Sequence, residues 1–155
     1  EIGSMINIHG TAVAIDGKAV LLRGQPGSGK SDLALKLIND GATLISDDQV
    51  LVKKVKNTLF LSAPDSIANL LEIRGLGIVY FDRLDDVPLV LIIDLLSDKM
   101  SERLPEPCVG EIEGCKFPYL KLDAKRESLH IIVKLAMAKL NGERDDLPMK
   151  ETWGL

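Results

Sequence analysis

From Ile6 to Ile15 the residues are largely apolar and β-compatible, Asp16-Gly17 interrupts them, and the apolar run resumes from Ala19 to Leu22. Asp-Gly between β-compatible runs is a strong two-residue turn signal, so this stretch predicts a hairpin feeding a second strand. Within Ser31 to Asp40, Leu33, Ala34, Leu37 and Ile38 recur at helical spacing, and Gly41 stands where a left-handed C-terminal cap belongs. Thr43 to Ser46 predicts a short strand running into Asp47-Asp48, and Val50 to Val55 with Leu59 to Leu61 flank Lys56-Asn57-Thr58 as a second hairpin. Ile67, Leu70 and Leu71 repeat at helical intervals, so a short helix is expected over 65–73, capped by Asp65 or Ser66 and stopped by the glycine-rich loop Arg74-Gly75-Leu76-Gly77. Val87 to Leu96 is apolar on both faces, as a buried central strand requires, and Ser97 to Gly114 reads as the least structured stretch. Leu129, Ile132, Val133, Ala136, Met137 and Leu140 form an amphipathic helix closed by Gly142. Strands mixed with helices, without repeat or linker, predict one α/β domain over residues 5–155 with a mixed central sheet, hairpins and flanking helices. Glu1 to Ser4, ahead of Met5, read as residues left by cloning.

Composition narrows the classes of function. With 155 residues, 46% of them hydrophobic and 27% charged, the chain has the material for one core and not the make-up of a disordered segment. A net charge of -4 lacks the basic excess that gathers nucleic-acid backbones, so nucleic acid is not expected as a partner. The longest apolar run, Leu89 to Ile93 with Leu95 and Leu96, is interrupted by Asp94 and too short to span ~30 Å of hydrocarbon, so no membrane segment is expected. The N-terminus shows no basic stretch followed by an apolar one, which makes the cytoplasm the expected compartment. Cys108 and Cys115 have no partners at metal-ligand spacing and read as reduced thiols.

Gly24-Gln25-Pro26-Gly27-Ser28-Gly29-Lys30-Ser31 fits G-x-x-x-x-G-K-[ST], the phosphate-binding P-loop pattern. It falls between a predicted strand and a predicted helix, the placement that lets it work. Glycines permit backbone angles at which successive N–H groups converge on an anion, and the helix N-terminus adds partial positive charge. Lys30 can then reach the β and γ phosphates and the Ser31 hydroxyl can coordinate Mg²⁺. Neither N-K-x-D nor D-x-x-G is present, which sets a guanine-specific GTPase aside, and remodelling ATPases need a larger chain. A P-loop NTPase-like domain acting as a small phosphotransferase is the class that is left.

Two acidic positions compete for the working carboxylate. Asp94 ends an apolar strand, as a Walker B acid does, whereas Asp47-Asp48 ends the strand that follows the P-loop helix. Adjacent carboxylates raise each other's proton affinity, so one of the pair is a candidate base. Strand alternation predicts that at most one of the two faces the nucleotide. His9, alone in an apolar strand, suggests only a packed residue on composition.

Ile8-His9-Gly10, the P-loop, Ile45-Ser46-Asp47-Asp48 and, above all, Leu70-Leu71-Glu72-Ile73-Arg74-Gly75-Leu76-Gly77-Ile78 together resemble the C-terminal catalytic domain of the HPr kinase/phosphorylase family, in a compact form without an N-terminal domain. The resemblance implies an ATP-dependent kinase acting on a serine of an HPr-like phosphocarrier of the phosphotransferase system, with pyrophosphate replacing ATP in many members and inorganic phosphate driving the reverse reaction. By the same resemblance, Gly24 to Ser31 would hold the nucleotide phosphates and Ser31 and Glu72 the metal. Asp48, or else Asp47, would be the base, assisted by His9. Arg74 would organise the site, Gly75 and Gly77 would let that loop approach the incoming protein, and Arg126 would assist phosphate handling. Family members typically assemble as hexamers. Where the family carries a P-G-R-N-like segment, this chain reads Ala124-Lys125-Arg126-Glu127-Ser128-Leu129, with the arginine displaced by one residue. Two rivals remain: a P-loop kinase for a small metabolite, and a nucleotide-sensing module without turnover.

Overall fold

The structure, a computed structural model, describes residues 5–97, 110–144 and 146. Its elements follow the order β1 (Met5–His9), β2 (Thr11–Ile15), β3 (Lys18–Gly24), α1 (Lys30–Asn39), β4 (Thr43–Ser46), β5 (Gln49–Val55), β6 (Thr58–Ser62) and a 3₁₀ turn (Asp65–Ile67). After these come β7 (Leu70–Ile73), β8 (Gly77–Tyr80), β9 (Val87–Leu96), β10 (Gly110–Ile112), β11 (Cys115–Phe117), β12 (Tyr119–Asp123) and α2 (Leu129–Leu140).

The predicted mixed sheet is present, and β9 is its spine. Eight strands form one sheet in the order β1-β5-β6-β9-β3-β2-β4, with β12 also on β9. β9 runs parallel to β3 and β12 and meets β6 antiparallel at its start. Side chains alternate across this spine, so each face builds its own core. Val20, Leu22, Leu91, Ile93 and Leu95 pack beneath Leu33 and Leu37 of α1 and Val133 and Met137 of α2. Leu21 and Ile92 face the opposite way, against Ile45, Val50, Leu59, Leu61 and Phe117. Leu91 is fully buried, and truncating it to alanine would cost about 2–5 kcal/mol.

The first hairpin closes on Asp16 and Gly17 with φ of 51° and 77°, the paired positive angles of a primed turn that matches strand twist. α1 ends as its sequence predicts: Gly41 takes φ 111° and its N–H bonds the Ile38 carbonyl at 3.0 Å. Among the described residues no helix is long and apolar enough to cross a membrane.

Three expectations are corrected. Ile6 to Ile15 is two strands parted at Gly10: β1 pairs with β5, while β2 pairs with β3 and β4. The helix expected over 65–73 is a 3₁₀ turn followed by β7, which forms a hairpin with β8. Asn69 sits at φ 70°, outside helical space, and Leu71 is buried while Leu70 and Glu72 are exposed, a period of 2 that the helical spacing of Ile67, Leu70 and Leu71 conceals. Of the stretch read as least structured, residues 98–109, with Cys108, lie outside the described residues, whereas Gly110–Ile112 pairs with Cys115–Phe117 through a turn at Glu113-Gly114.

Candidate active site

The P-loop occupies the turn from β3 to α1. Gly29 precedes the helix at φ 102°, in the left-handed region that suits glycine. A Cβ on Gly24 would lie 2.5 Å from Ser28 Oγ and 2.9 Å from the Leu95 carbonyl, so only glycine fits where the strand passes beneath the loop. Lys30 is 7% exposed, and its Nζ donates to the carbonyls of Gly24 at 2.8 Å and Gln25 at 3.1 Å. Burial pulls the Lys30 ammonium below the ordinary lysine range, against the opposing pull of the Asp48 and Asp47 carboxylates. Its hydrogen bonds thus run to neutral carbonyls, and its charge is offset only through space by the two carboxylates. Ser28 Oγ is also buried, with no partner among the described residues.

β4 delivers the acid pair to this loop. Asp47 Oδ1 accepts hydrogen bonds from Ser31 Oγ and Thr11 Oγ1, both at 2.8 Å, which leaves Oδ2 without a partner among the described residues. Asp48 lies at φ 72°, where the strand conformation has ended. The alternation rule therefore fails, and both carboxylates face one pocket rather than one at most. Asp48 projects to its mouth, 70% exposed, with Oδ1 3.6 Å from Nδ1 of His9 at the end of β1. Such a solvent-screened contact orients more than it stabilises.

Asp94, the rival acid, is occupied elsewhere. One oxygen takes the Arg23 Nε–H at 2.7 Å and the other accepts from the Tyr119 hydroxyl. The Arg23 guanidinium lies 5.5 Å above the Tyr119 ring. Burial draws the Arg23 guanidinium down, but the hydrogen bond and charge of Asp94 more than offset it, leaving a net rise. Burial, and then the Asp94 hydrogen bond, push the Tyr119 hydroxyl well above the ordinary tyrosine range. The Walker-B-like strand end thus anchors the strand into the P-loop, and the bond to Ser31 belongs to Asp47.

The β7–β8 hairpin forms the facing wall, placing Glu72 and Arg74 in the same cavity of about 530 Å³. Of the expected site residues, His9, Pro26, Gly27, Gly29, Lys30, Ser31, Asp47, Asp48, Glu72 and Arg74 line it. Gly24, Gln25 and Ser28 lie in the loop without lining the cavity, and Gly75 and Gly77 shape the hairpin turn. Arg126 sits in the turn before α2, its Nε donating to Ser128 Oγ at 3.3 Å, and does not line the cavity. Sequence reading missed Thr11, Asp32, Ile67, Leu70 and Ile78 as lining residues. The one signal for Thr11 was a hydroxyl in an otherwise apolar strand, next to His9-Gly10.

A family model described as the HPr serine kinase C-terminal domain matches residues 1–86, more than half of the chain. The chain belongs to that family. The HPr kinase/phosphorylase of Caldicellulosiruptor bescii is 37% identical over 149 residues, covering 88% of this chain and 48% of that protein. Its counterpart in Mycoplasmopsis pulmonis is 46% identical over 74 residues, 48% of this chain and 24% of that protein. The chain therefore spans about half, or less, of the length of the curated relatives it matches. The structure of the HPr(Ser) kinase/phosphatase from Coxiella burnetii superposes with a TM-score of 0.75 at 22% identity, covering 90% of this chain and 99% of that one, and shares the fold.

The donors in this HPr serine kinase C-terminal domain suit a nucleotide tail with a divalent metal. Mg²⁺ is usually held by one or two carboxylates, with substrate phosphates and water completing its shell. Ser31 Oγ, Asp47 Oδ2 and Glu72 are hard oxygen donors around the cavity beside Lys30. Among the described residues no group of three or more His, Cys, Asp or Glu stands ready to hold a metal, so a metal here would depend on the phosphates for the rest of its ligands.

Proposed function

We propose that this chain transfers the γ-phosphoryl group of ATP, with Mg²⁺, to a serine of an HPr-like phosphocarrier protein. The carrying observation is the division between the two acids: Asp47 is bonded to the P-loop hydroxyl of Ser31, and Asp48 projects to the cavity mouth, 3.6 Å from His9. In this reading the P-loop amides and Lys30 hold the β and γ phosphates, with the ammonium exchanging the carbonyls of Gly24 and Gln25 for phosphate oxygens. When bound, Mg²⁺ supplies charge neutralisation on those oxygens, held by Ser31, Asp47 and Glu72. Asp48 accepts the proton of the serine hydroxyl as its oxygen bonds to phosphorus and the bond to the ADP oxygen breaks. Arg74, on the facing wall, orients the transferred group.

The test is mass spectrometry of a purified HPr-like carrier after incubation with ATP and Mg²⁺, and again after adding inorganic phosphate. The expected result is one phosphoserine that requires Lys30 and Asp48 and is lost in K30A and D48N. Removal of the phosphate on adding inorganic phosphate would establish the reverse reaction as well. Transfer to a small metabolite instead, or tight ATP binding without transfer, would overturn the reading.

A further inference from the structure

Thr11 is fully buried in an apolar strand where valine would meet the same packing, so its hydroxyl needs a reason to be there. That oxygen is used in both directions: it donates to Asp47 Oδ1 at 2.8 Å and accepts, at a longer 3.5 Å, from the backbone N–H of Asp48. Ser31 donates to the same Oδ1 at 2.8 Å. Two donors converging on one carboxylate oxygen fix the place of that oxygen and so restrict the rotation of a group that lines the cavity. One donor alone leaves it free to turn. The contact with the Asp48 amide comes where the chain enters φ 72°, the bend that sends the second carboxylate to the mouth.

We propose that Thr11 is a positioning residue that assigns the two acids their separate places, locking Asp47 onto Ser31 at the metal side of the cavity and holding the bend that presents Asp48 to the acceptor. The inference rests on the phosphoryl-transfer reading and deepens it.

The test compares the full chain with T11V and T11S, following ATP binding by calorimetry with and without Mg²⁺, alongside kcat and KM for ATP. Hydrogen bonds to charged groups are strong enough that losing this one should lower the Mg²⁺-dependent gain in ATP affinity, and kcat, by about 10-fold or more. Mg²⁺-free affinity should stay within about threefold, because Lys30 and the loop amides are untouched, whereas KM for ATP, read with Mg²⁺ present, should rise with the lost Mg²⁺ gain. T11S keeps the hydroxyl and should recover both properties. A folded T11V with an undiminished Mg²⁺ gain and kcat, or a T11S as impaired as T11V, overturns the proposal. Should T11V fail to fold, T11C takes its place: its weak thiol donor should leave it well below T11S, and equality of the two refutes the role. If the native chain binds ATP with Mg²⁺ yet phosphorylates no carrier, the acceptor assignment falls while the calorimetric comparison still judges Thr11.

Discussion

Asp47 accepts the hydroxyl of Ser31 at 2.8 Å, whereas Asp94, one strand away from the same loop, is held at 2.7 Å by Arg23. The two acids therefore predict opposite phenotypes. D47N removes the negative charge beside Ser31 and should abolish the Mg²⁺-dependent part of ATP affinity while sparing the fold. D94N should leave the Mg²⁺ dependence intact. Calorimetry on both variants, with and without Mg²⁺, checks the pair, and a D94N that loses its Mg²⁺ response would contradict the assignment.

The same cluster makes a stability prediction with a definite pH sense. Y119F deletes the donor to Asp94 and D94N weakens the Arg23 pair in a partly buried setting, so each should cost about 1–3 kcal/mol in urea unfolding. Burial and the Asp94 hydrogen bond raise the folded pKa of Tyr119 above its unfolded value. Its contribution is thus complete below about pH 10 and is lost as pH climbs through the folded value. Tyr80 is 67% exposed, so a Y80F background isolates Tyr119, the other tyrosine of the chain. In that background, alkaline absorbance titration should show phenol ionisation delayed beyond the ordinary tyrosine range until unfolding.

Those residues also mark what a sequence can and cannot show. The P-loop, both helices and the buried spine at Val87–Leu96 were readable because each rests on a local rule: a fixed motif, a 3.6-residue period, or an apolar run. The 65–73 segment was not, since three apolar residues at helical spacing also satisfy a strand entered from a turn, and the left-handed Asn69 that decides between them has no hydropathy signature. The acid pair was legible as a pair, but its orientation depends on φ at Asp48 and on Thr11, 37 positions away in sequence and brought close by strand pairing. Asp94 fitted a Walker B pattern in sequence, and only its contact with Arg23 and Tyr119 reveals a different task.

Asn69 fixes the hairpin that carries Glu72 and Arg74. Its φ of 70° is tolerated by asparagine and glycine but costs alanine, and its side chain donates to the Phe81 carbonyl at 2.8 Å and accepts from Arg83. N69A should lose both the backbone preference and the bonds, about 2–3 kcal/mol if the hairpin unfolds with the domain, whereas N69G should lose the bonds and keep the preference. Denaturant unfolding should therefore rank native above N69G and N69G above N69A. Equal losses would place the whole effect in the side-chain bonds.

Lys30 gives a prediction whose sign reverses common expectation for a lysine with acidic neighbours. Burial lowers its folded pKa despite Asp48 and Asp47, while in the unfolded chain it titrates near 10.4. Between those two values the unfolded state binds more protons, so stability attributable to Lys30 rises with pH across that window. K30M cannot titrate there. The unfolding free energy of the nucleotide-free native chain, minus that of K30M, should therefore grow as pH rises toward about 10.4, with every other titrating group common to both proteins and cancelling. Adding ATP places phosphate charge beside the ammonium, raises its pKa and should flatten the trend for the native chain. Urea unfolding of both proteins across the alkaline range measures this directly, and a difference that stays constant, or shrinks with pH, would mean that the ammonium beneath the loop is already fully compensated.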